Sequence, residues 1–241
     1  MNKLPINLCL FTTTKGHFGR KDVYLSTLSS LKAHIGGLNQ FGGLFAHLKI
    51  SPGEEAQAEQ MTGVLESMGF VVIPTVGEWS HNHSSHHSGY LMDIQTMFNH
   101  LGVHERPYSL WLEDDFVFEP HQMGVLESLA FGQRILEEDR NVSAVRYTRI
   151  GDDDIKTRTQ SIPYNEKTFQ QGVEFSFNPT LIRTRDVFLT MALVRKYINN
   201  LSPHCELAYT QIAQTLTEGV RPFVCIEPAQ IVVEHIGIQK I

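Results

Sequence analysis

No stretch of this chain holds the roughly 18 consecutive apolar residues that a bilayer-spanning helix needs. The opening run MNKLPINLCLFTTT is broken by Pro5 and Asn7, too short and wrongly flanked for a secretory leader. Cysteine is scarce: Cys9, Cys205 and Cys225 lie far apart and form no C-x-x-C pair. That excludes a disulfide framework and a cysteine-built zinc module, and it fits a reducing compartment. Cys9 and Cys225 sit in apolar runs and read as small core residues. Positive charge is in deficit, 20 Lys+Arg against 26 Asp+Glu for a net charge of -6. A general nucleic-acid surface is therefore not expected, although a local basic pocket for a small anion is allowed. Internal repeats, low-complexity tracts and linkers are absent as well. A cytoplasmic protein, or the catalytic domain of a larger chain, is the expectation, with no transmembrane segment; the sequons at Asn82, Asn141 and Asn200 then carry little meaning.

What is present is an ordinary globular composition, 41% hydrophobic and 19% charged over 241 residues. That length buries a full core without staples. Ile6 to Phe11 reads as a strand, followed by a polar loop through Gly16. The apolar positions Val23, Leu25, Leu28, Leu31 and Ile35 predict a helix that starts near Asp22 and stops at Gly36-Gly37. Gly43 to Ile50 is a second strand, Glu54 to Met68 an amphipathic helix, and Phe70 to Ile73 a third strand. A polar loop over Glu78 to Ser88 precedes a helix from Tyr90 to Leu101. The next strand, Tyr108 to Leu112, runs straight into Glu113-Asp114-Asp115. Further on come a helix from Pro120 to Glu138, a strand from Ala144 to Thr148, and a polar irregular stretch from Gly151 to Thr168. An extended piece over Ser176 to Ile182 precedes helices from Asp186 to Asn199 and Glu206 to Thr217. Short strands at Phe223 to Ile226 and Ile231 to Val233 close the chain. Strand-helix alternation predicts an α/β, Rossmann-like domain whose central sheet is mixed but mainly parallel and is flanked by helices. A single domain over residues 1–241 is expected.

The feature with the most chemistry is Leu110-Trp-Leu-Glu-Asp-Asp-Phe-Val-Phe-Glu-Pro120. Ligands of α/β sheets collect at the carboxyl ends of strands. Three adjacent acids there repel one another unless a cation neutralises them. Hard oxygen ligands suit Mg²⁺ or Mn²⁺, held by one or two carboxylates plus substrate phosphates. Trp111 alternates with buried strand positions and reads as core. The chain has neither a Walker lysine-serine loop nor a G-x-G-x-x-G fingerprint, which argues against kinases and dehydrogenases.

The acidic run resembles the DxD motif of GT-A glycosyltransferases of the family 2-like kind, in the EDD variant found in N-acetylglucosaminyltransferase I-type enzymes. The resemblance implies that Asp115 binds the metal, that Glu113 meets the ribose or a metal-bound water, and that Asp114 meets a donor-sugar hydroxyl. The loop Thr12-Thr13-Thr14-Lys15 through Arg20 is similar to the first nucleotide-binding loop of that family. Its threonines would hold base and ribose, and Lys15 or Arg20 the diphosphate. In Val232-Val-Glu-His-Ile-Gly237, His235 takes the place of a second protein ligand to the metal. Glu206, at an expected helix start, takes that of the general base of an inverting enzyme; Asp152, Asp153 and Asp154 are its rivals. His87, Ser88 and Tyr90, where the helix before the acidic run begins, are expected to face the donor. The four histidines from His81 to His87 match no zinc spacing. Phe175, Phe177 and Asn178 are candidates for a sugar wall.

The resemblance implies a metal-dependent transferase that moves a sugar from a nucleotide-sugar donor, UDP-linked by family habit, to a glycan or other hydroxyl acceptor, with 1–120 as its nucleotide-binding half and 121–241 as its acceptor-binding and catalytic half. A nucleotidyltransferase is the alternative. Its usual Gly-rich basic loop after the first strand is missing from Thr12-Thr-Thr-Lys-Gly-His17. A non-catalytic sugar- or metal-binding module on the same fold is a third reading. A homo-oligomer is compatible with all three.

Overall fold

The structure is a computed structural model. It describes residues 3–15, 21–77, 83–118, 124–147, 159–164, 167–172, 179–193, 209, 212–213, 225–228 and 233–235. For 83–88, 159–164, 167–172, 225–228 and 233–235 only the backbone is described. Arg20, Asp152 to Asp154, Phe175, Phe177, Asn178, Cys205 and Glu206 lie outside the described residues.

The apolar runs of the first half form four parallel strands. These are β1 (Ile6–Thr13), β2 (Gly43–Ile50), β3 (Val71–Val76) and β4 (Tyr108–Glu113). Their helices are α1 (Val23–Ile35), α2 (Glu55–Ser67) and α3 (His83–Asn99). The second half adds β5 (Phe116–Phe118), α4 (Val125–Glu138), β6 (Ala144–Arg146), β7 (Thr159–Tyr164) and β8 (Lys167–Gly172). It continues with β9 (Thr180–Arg183), α5 (Thr184–Ala192), β10 (Cys225–Pro228) and β11 (Val233–His235). One nine-stranded sheet has the order β3-β2-β1-β4-β9-β6-β10-β8-β7, and β11 pairs with β5 in a separate two-stranded ribbon. Strand β9 runs antiparallel to both of its neighbours, and β8 likewise. The remaining strands share one direction, so the sheet is mixed and mainly parallel, as the alternation predicts.

Side chains on a strand alternate between faces, and the core divides accordingly. Leu8, Leu10, Leu48, Leu110 and Leu112 pack with α1, α2 and α4 on one face. Cys9, Phe11, Phe45 and Trp111 pack with α3 and α5 on the other. Trp111 is 0% exposed and its ring stacks on Phe11 at 5.0 Å between centroids. It is core, as its alternation requires. Helix α1 ends on Gly36 in the left-handed region at φ 74°, a conformation glycine adopts without a Cβ clash.

Several boundaries differ from the sequence reading; β3, for one, runs on to Val76. Helix α3 begins at His83, not Tyr90, because its first turns are polar and give no apolar period to detect. Helix α4 begins at Val125 rather than Pro120. Part of the stretch read as irregular is the antiparallel hairpin β7–β8. TQSIPY and KTFQQG carry few apolar residues, and Pro163 is tolerated because β7 is an edge strand.

Cys9 is fully buried, and burial pushes its thiol from 9.0 up to about 12, with a Ser109 hydrogen bond partly opposing the rise. The neutral form is favoured in the fold, so the stability it contributes is complete below pH 9 and fades as pH climbs toward 12. In a Cys205→Ser/Cys225→Ser background, Cys9 is expected to resist a thiol reagent at pH 8 until denaturant is added. Rapid stoichiometric labelling of the native protein would contradict this burial.

Candidate functional site

Strand β4 delivers the acidic run to the carboxyl edge of the sheet, between β1 and β9. Glu113 is the last strand residue, Asp114 and Asp115 form a tight turn, and the chain re-enters a strand at Phe116. Alternation aims neighbouring acids at opposite faces. Glu113 lies on the α3 face, where its Oε1 accepts a hydrogen bond from the Tyr90 hydroxyl at 2.7 Å. That hydroxyl in turn accepts from the Trp111 indole Nε1 at 3.2 Å. Asp114 lies on the α1 face, 2% exposed, and its Oδ2 accepts from the Thr12 hydroxyl.

Helix α1 pins the turn from below. Thr27 donates its hydroxyl to the Asp114 carbonyl at 2.6 Å, and Ser30 Oγ accepts the Phe118 amide at 3.0 Å. Hydroxyls three residues apart share a helix face, so one turn of α1 holds both the acidic turn and β5. The three acids therefore do not converge on one point. Hydroxyl donors meet two of them, while Asp115, 2% exposed, occupies the apex of the turn.

The far end of the chain returns here. Strand β11 pairs antiparallel with β5, setting His235 opposite Phe116. The His235 backbone is thus placed beside the residue that follows Asp115, although the two are far apart in sequence; its side chain lies outside the description. Among the described residues, no group of three or more His, Cys, Asp and Glu side chains is gathered as a metal set. One carboxylate and one imidazole are a donor set that suits Mn²⁺ or Mg²⁺ when substrate phosphates complete the shell.

The threonine loop is built into the same edge. Thr12, Thr13 and Thr14 are buried and Lys15 is exposed. The Thr14 amide donates to the Lys49 carbonyl at 2.9 Å, and Thr14 Oγ1 accepts from the Ser51 amide at 3.0 Å, which ties the end of β1 to the end of β2.

Beneath it lies a buried polar cluster that the sequence reading passed over. Lys49 Nζ donates to Asp93 Oδ1 at 3.0 Å, the Thr75 hydroxyl donates to the same oxygen at 3.2 Å, and His47 Nε2 lies 3.4 Å from it. The available signal was polar residues at period two: in Gly43–Ile50, His47 and Lys49 share the face of Phe45 that α3 covers.

Of the residues expected to contact a donor, Tyr90 has its hydroxyl engaged between Glu113 and Trp111. The backbones of His87 and Ser88 lie within α3 rather than at its start, which is at His83. Their side chains lie outside the described residues. Replacing Tyr90 by Phe removes the hydroxyl from both partners. The expected loss is about 1–3 kcal/mol of stability, measured by urea unfolding, for the buried groups left unpaired. A change below about 0.5 kcal/mol would count against this link.

Comparisons with known proteins follow the fold rather than the sequence. No protein-family model and no curated protein sequence matches the chain. Among solved structures, the chain is similar to one described as a glucose-1-phosphate thymidylyltransferase from Bacillus anthracis, in complex with sucrose. The TM-score is 0.54 at 9% identity, over 97% of this chain and 91% of that one. A 4-diphosphocytidyl-2C-methyl-D-erythritol synthase from Anaerococcus prevotii gives a TM-score of 0.48 at 13% identity, over 97% of this chain and 89% of that one. The Rossmann-like α/β fold, with its mixed and mainly parallel sheet, is thus shared almost end to end with a solved structure.

Proposed function

We propose that the chain is a transferase acting at the phosphate-sugar linkage of a nucleotide-activated sugar, with a divalent cation at Asp115 and His235. The observation that carries this reading is the meeting of the β4 acidic turn with β11, which sets His235 opposite Phe116 at the carboxyl edge of the sheet. A bound Mn²⁺ or Mg²⁺ would neutralise charge growing on a phosphate leaving group. Of the threonines expected to meet base and ribose, Thr12 and Thr14 are spent holding the loop through Asp114, Lys49 and Ser51, which leaves Thr13 for that contact, and Lys15 and Arg20 supply charge for the diphosphate. Glu113, oriented by Tyr90, faces the ribose or a metal-bound water. Asp114 holds the turn through Thr12 and, in the glycosyl reading, meets a donor hydroxyl. In that reading a carboxylate, Glu206, takes the proton from the acceptor hydroxyl.

Two reactions fit this machinery. Glycosyl transfer is favoured by the EDD run and by His235, paired with the residue that follows the run. Nucleotidyl transfer is favoured by a specific likeness. Over 97% of its length the chain shares the fold of a protein described as a glucose-1-phosphate thymidylyltransferase.

Product analysis separates them. The protein is incubated with Mn²⁺ and either a panel of nucleotide sugars or nucleoside triphosphates plus sugar 1-phosphates. Release of a nucleoside diphosphate supports glycosyl transfer, and release of pyrophosphate supports nucleotidyl transfer. No thermal shift with any donor under Mn²⁺ would sink both, because a ligand that binds only the native state must raise its stability.

A further inference from the structure

At the opposite end of β4 from the acidic run lies a cavity of about 600 Å³. It opens where β4 begins and β9 ends, with Tyr108 and Arg183 paired in register. Its lining includes four arginines, Arg106, Arg140, Arg183 and Arg185, against one acid, Asp186. This concentration of cations stands out in a chain of net charge -6.

The four arginines are not equivalent. Arg183 serves the fold: its guanidinium donates to the Val142 carbonyl at 2.8 Å, to the Asp139 carbonyl at 3.1 Å and to the Leu136 carbonyl, and it lies 3.4 Å from Asp186 Oδ2. It closes the C-terminal end of α4 and balances Asp186. The other three have no carboxylate partner among the described residues. Among the described residues, Arg106 donates to the carbonyl of Glu105 at 3.0 Å. Arg140 and Arg185 are exposed, and no hydrogen bond to another described residue engages them. Asp186 is turned to Arg183 and Glu137 to the Tyr108 hydroxyl, so like charges converge here with no carboxylate of the described residues paired to the other three arginines, an arrangement that costs free energy in the absence of an anion.

A second observation points the same way. Helix α5 begins at Thr184 on the cavity wall, and no side chain caps its N-terminus. The Thr184 amide is used by the Pro107 carbonyl at 2.9 Å. The amides that follow lie at the positive end of the helix dipole. Planar guanidinium forks beside a helix N-terminus match the oxygens of a phosphate group, and the volume suits a small molecule rather than a polymer.

We propose that this cavity is a second ligand site, distal to the acidic turn, that binds a compact phosphate-bearing anion through Arg106, Arg140 and Arg185. The assignment does not depend on which transfer reaction the acidic turn performs.

Calorimetric titration with inorganic pyrophosphate, inorganic phosphate and glucose 1-phosphate, all in EDTA, tests it. Chelation keeps a cation-dependent diphosphate site silent. The wild-type chain is expected to show saturable binding of at least one of these probes, and the stronger probe tells whether a free or an esterified phosphate is preferred. An Arg140→Gln/Arg185→Gln variant is expected to bind at least about tenfold more weakly, with an unchanged melting temperature because both side chains are exposed. Arg106→Gln should weaken binding in the same direction. Absence of saturable heat up to about 10 mM ligand, or equal affinity in the double variant, would overturn the proposal.

Discussion

Replacing Asp115 by alanine is expected to lower Mn²⁺-dependent turnover by about a thousandfold while leaving a folded protein. Removing one preorganised electrostatic contact to a developing charge typically costs about 100- to 1000-fold in rate, and a direct metal ligand belongs at the upper end of that range. The turn that carries Asp115 is held by other side chains as well. Thr12 and Thr27 hold Asp114, and Ser30 holds Phe118. The measurement is the initial rate of donor consumption against Mn²⁺ concentration, with the melting temperature as a control for folding. Rates within about threefold of wild type would remove Asp115 from the chemistry. A loss of Mn²⁺-induced thermal stabilisation in the same variant would tie the defect to the ion rather than to the acceptor.

The largest loss of stability is expected from Asp93→Ala. The Asp93 carboxylate is the acceptor for Lys49 and Thr75 and lies beside His47, and it is 2% exposed. Without it, the Lys49 ammonium is left buried without its counter-charge. Breaking a buried pair in this way costs about 3–5 kcal/mol, which in a chain of this size lowers the melting temperature by roughly 10 °C. Calorimetry reads the shift directly. The effect should also reach the threonine loop proposed to bind the nucleotide, because the Lys49 carbonyl and the Ser51 amide hold Thr14, so donor affinity should fall with stability. A Lys49→Met/Asp93→Leu double variant should recover most of the stability, since it removes both charges and keeps the volume. If the double variant is as unstable as the single one, packing rather than the unpaired charge is responsible.

The elements that were legible from sequence are those whose apolar residues recur at the period of their own structure. Strands β1, β2 and β4 are nearly continuous apolar runs because helices cover both faces of a mainly parallel sheet. Helices α1 and α2 show their buried stripe through Leu28, Leu31, Met61 and Leu65. The first turns of α3 and the hairpin β7–β8 escaped because they present few apolar residues, so their backbone pairing leaves no trace in the pattern. The buried cluster at Asp93 escaped for a related reason. A lysine and a histidine in a strand read as solvent-facing until an acid from a distant helix is seen to meet them.

The acidic run shows where the boundary lies. The sequence by itself determined that three carboxylates end an apolar strand, and hence that they stand at the edge where α/β sheets bind ligands. It also determined the α/β class and most of its strands and helices, because these follow from local periodicity. Only the tertiary structure decided how the three acids divide. Strand alternation sends Glu113 toward Tyr90 on α3 and Asp114 toward Thr12 and α1, leaving Asp115 at the apex. Only the tertiary structure, again, brought β11 and its His235 to β5 and gathered Arg106, Arg140 and Arg185 around one cavity. Thr12 and Asp114 are 102 positions apart. A contact between residues so distant is set by which sheet edge and which helix face they share, and no window of the sequence contains that information.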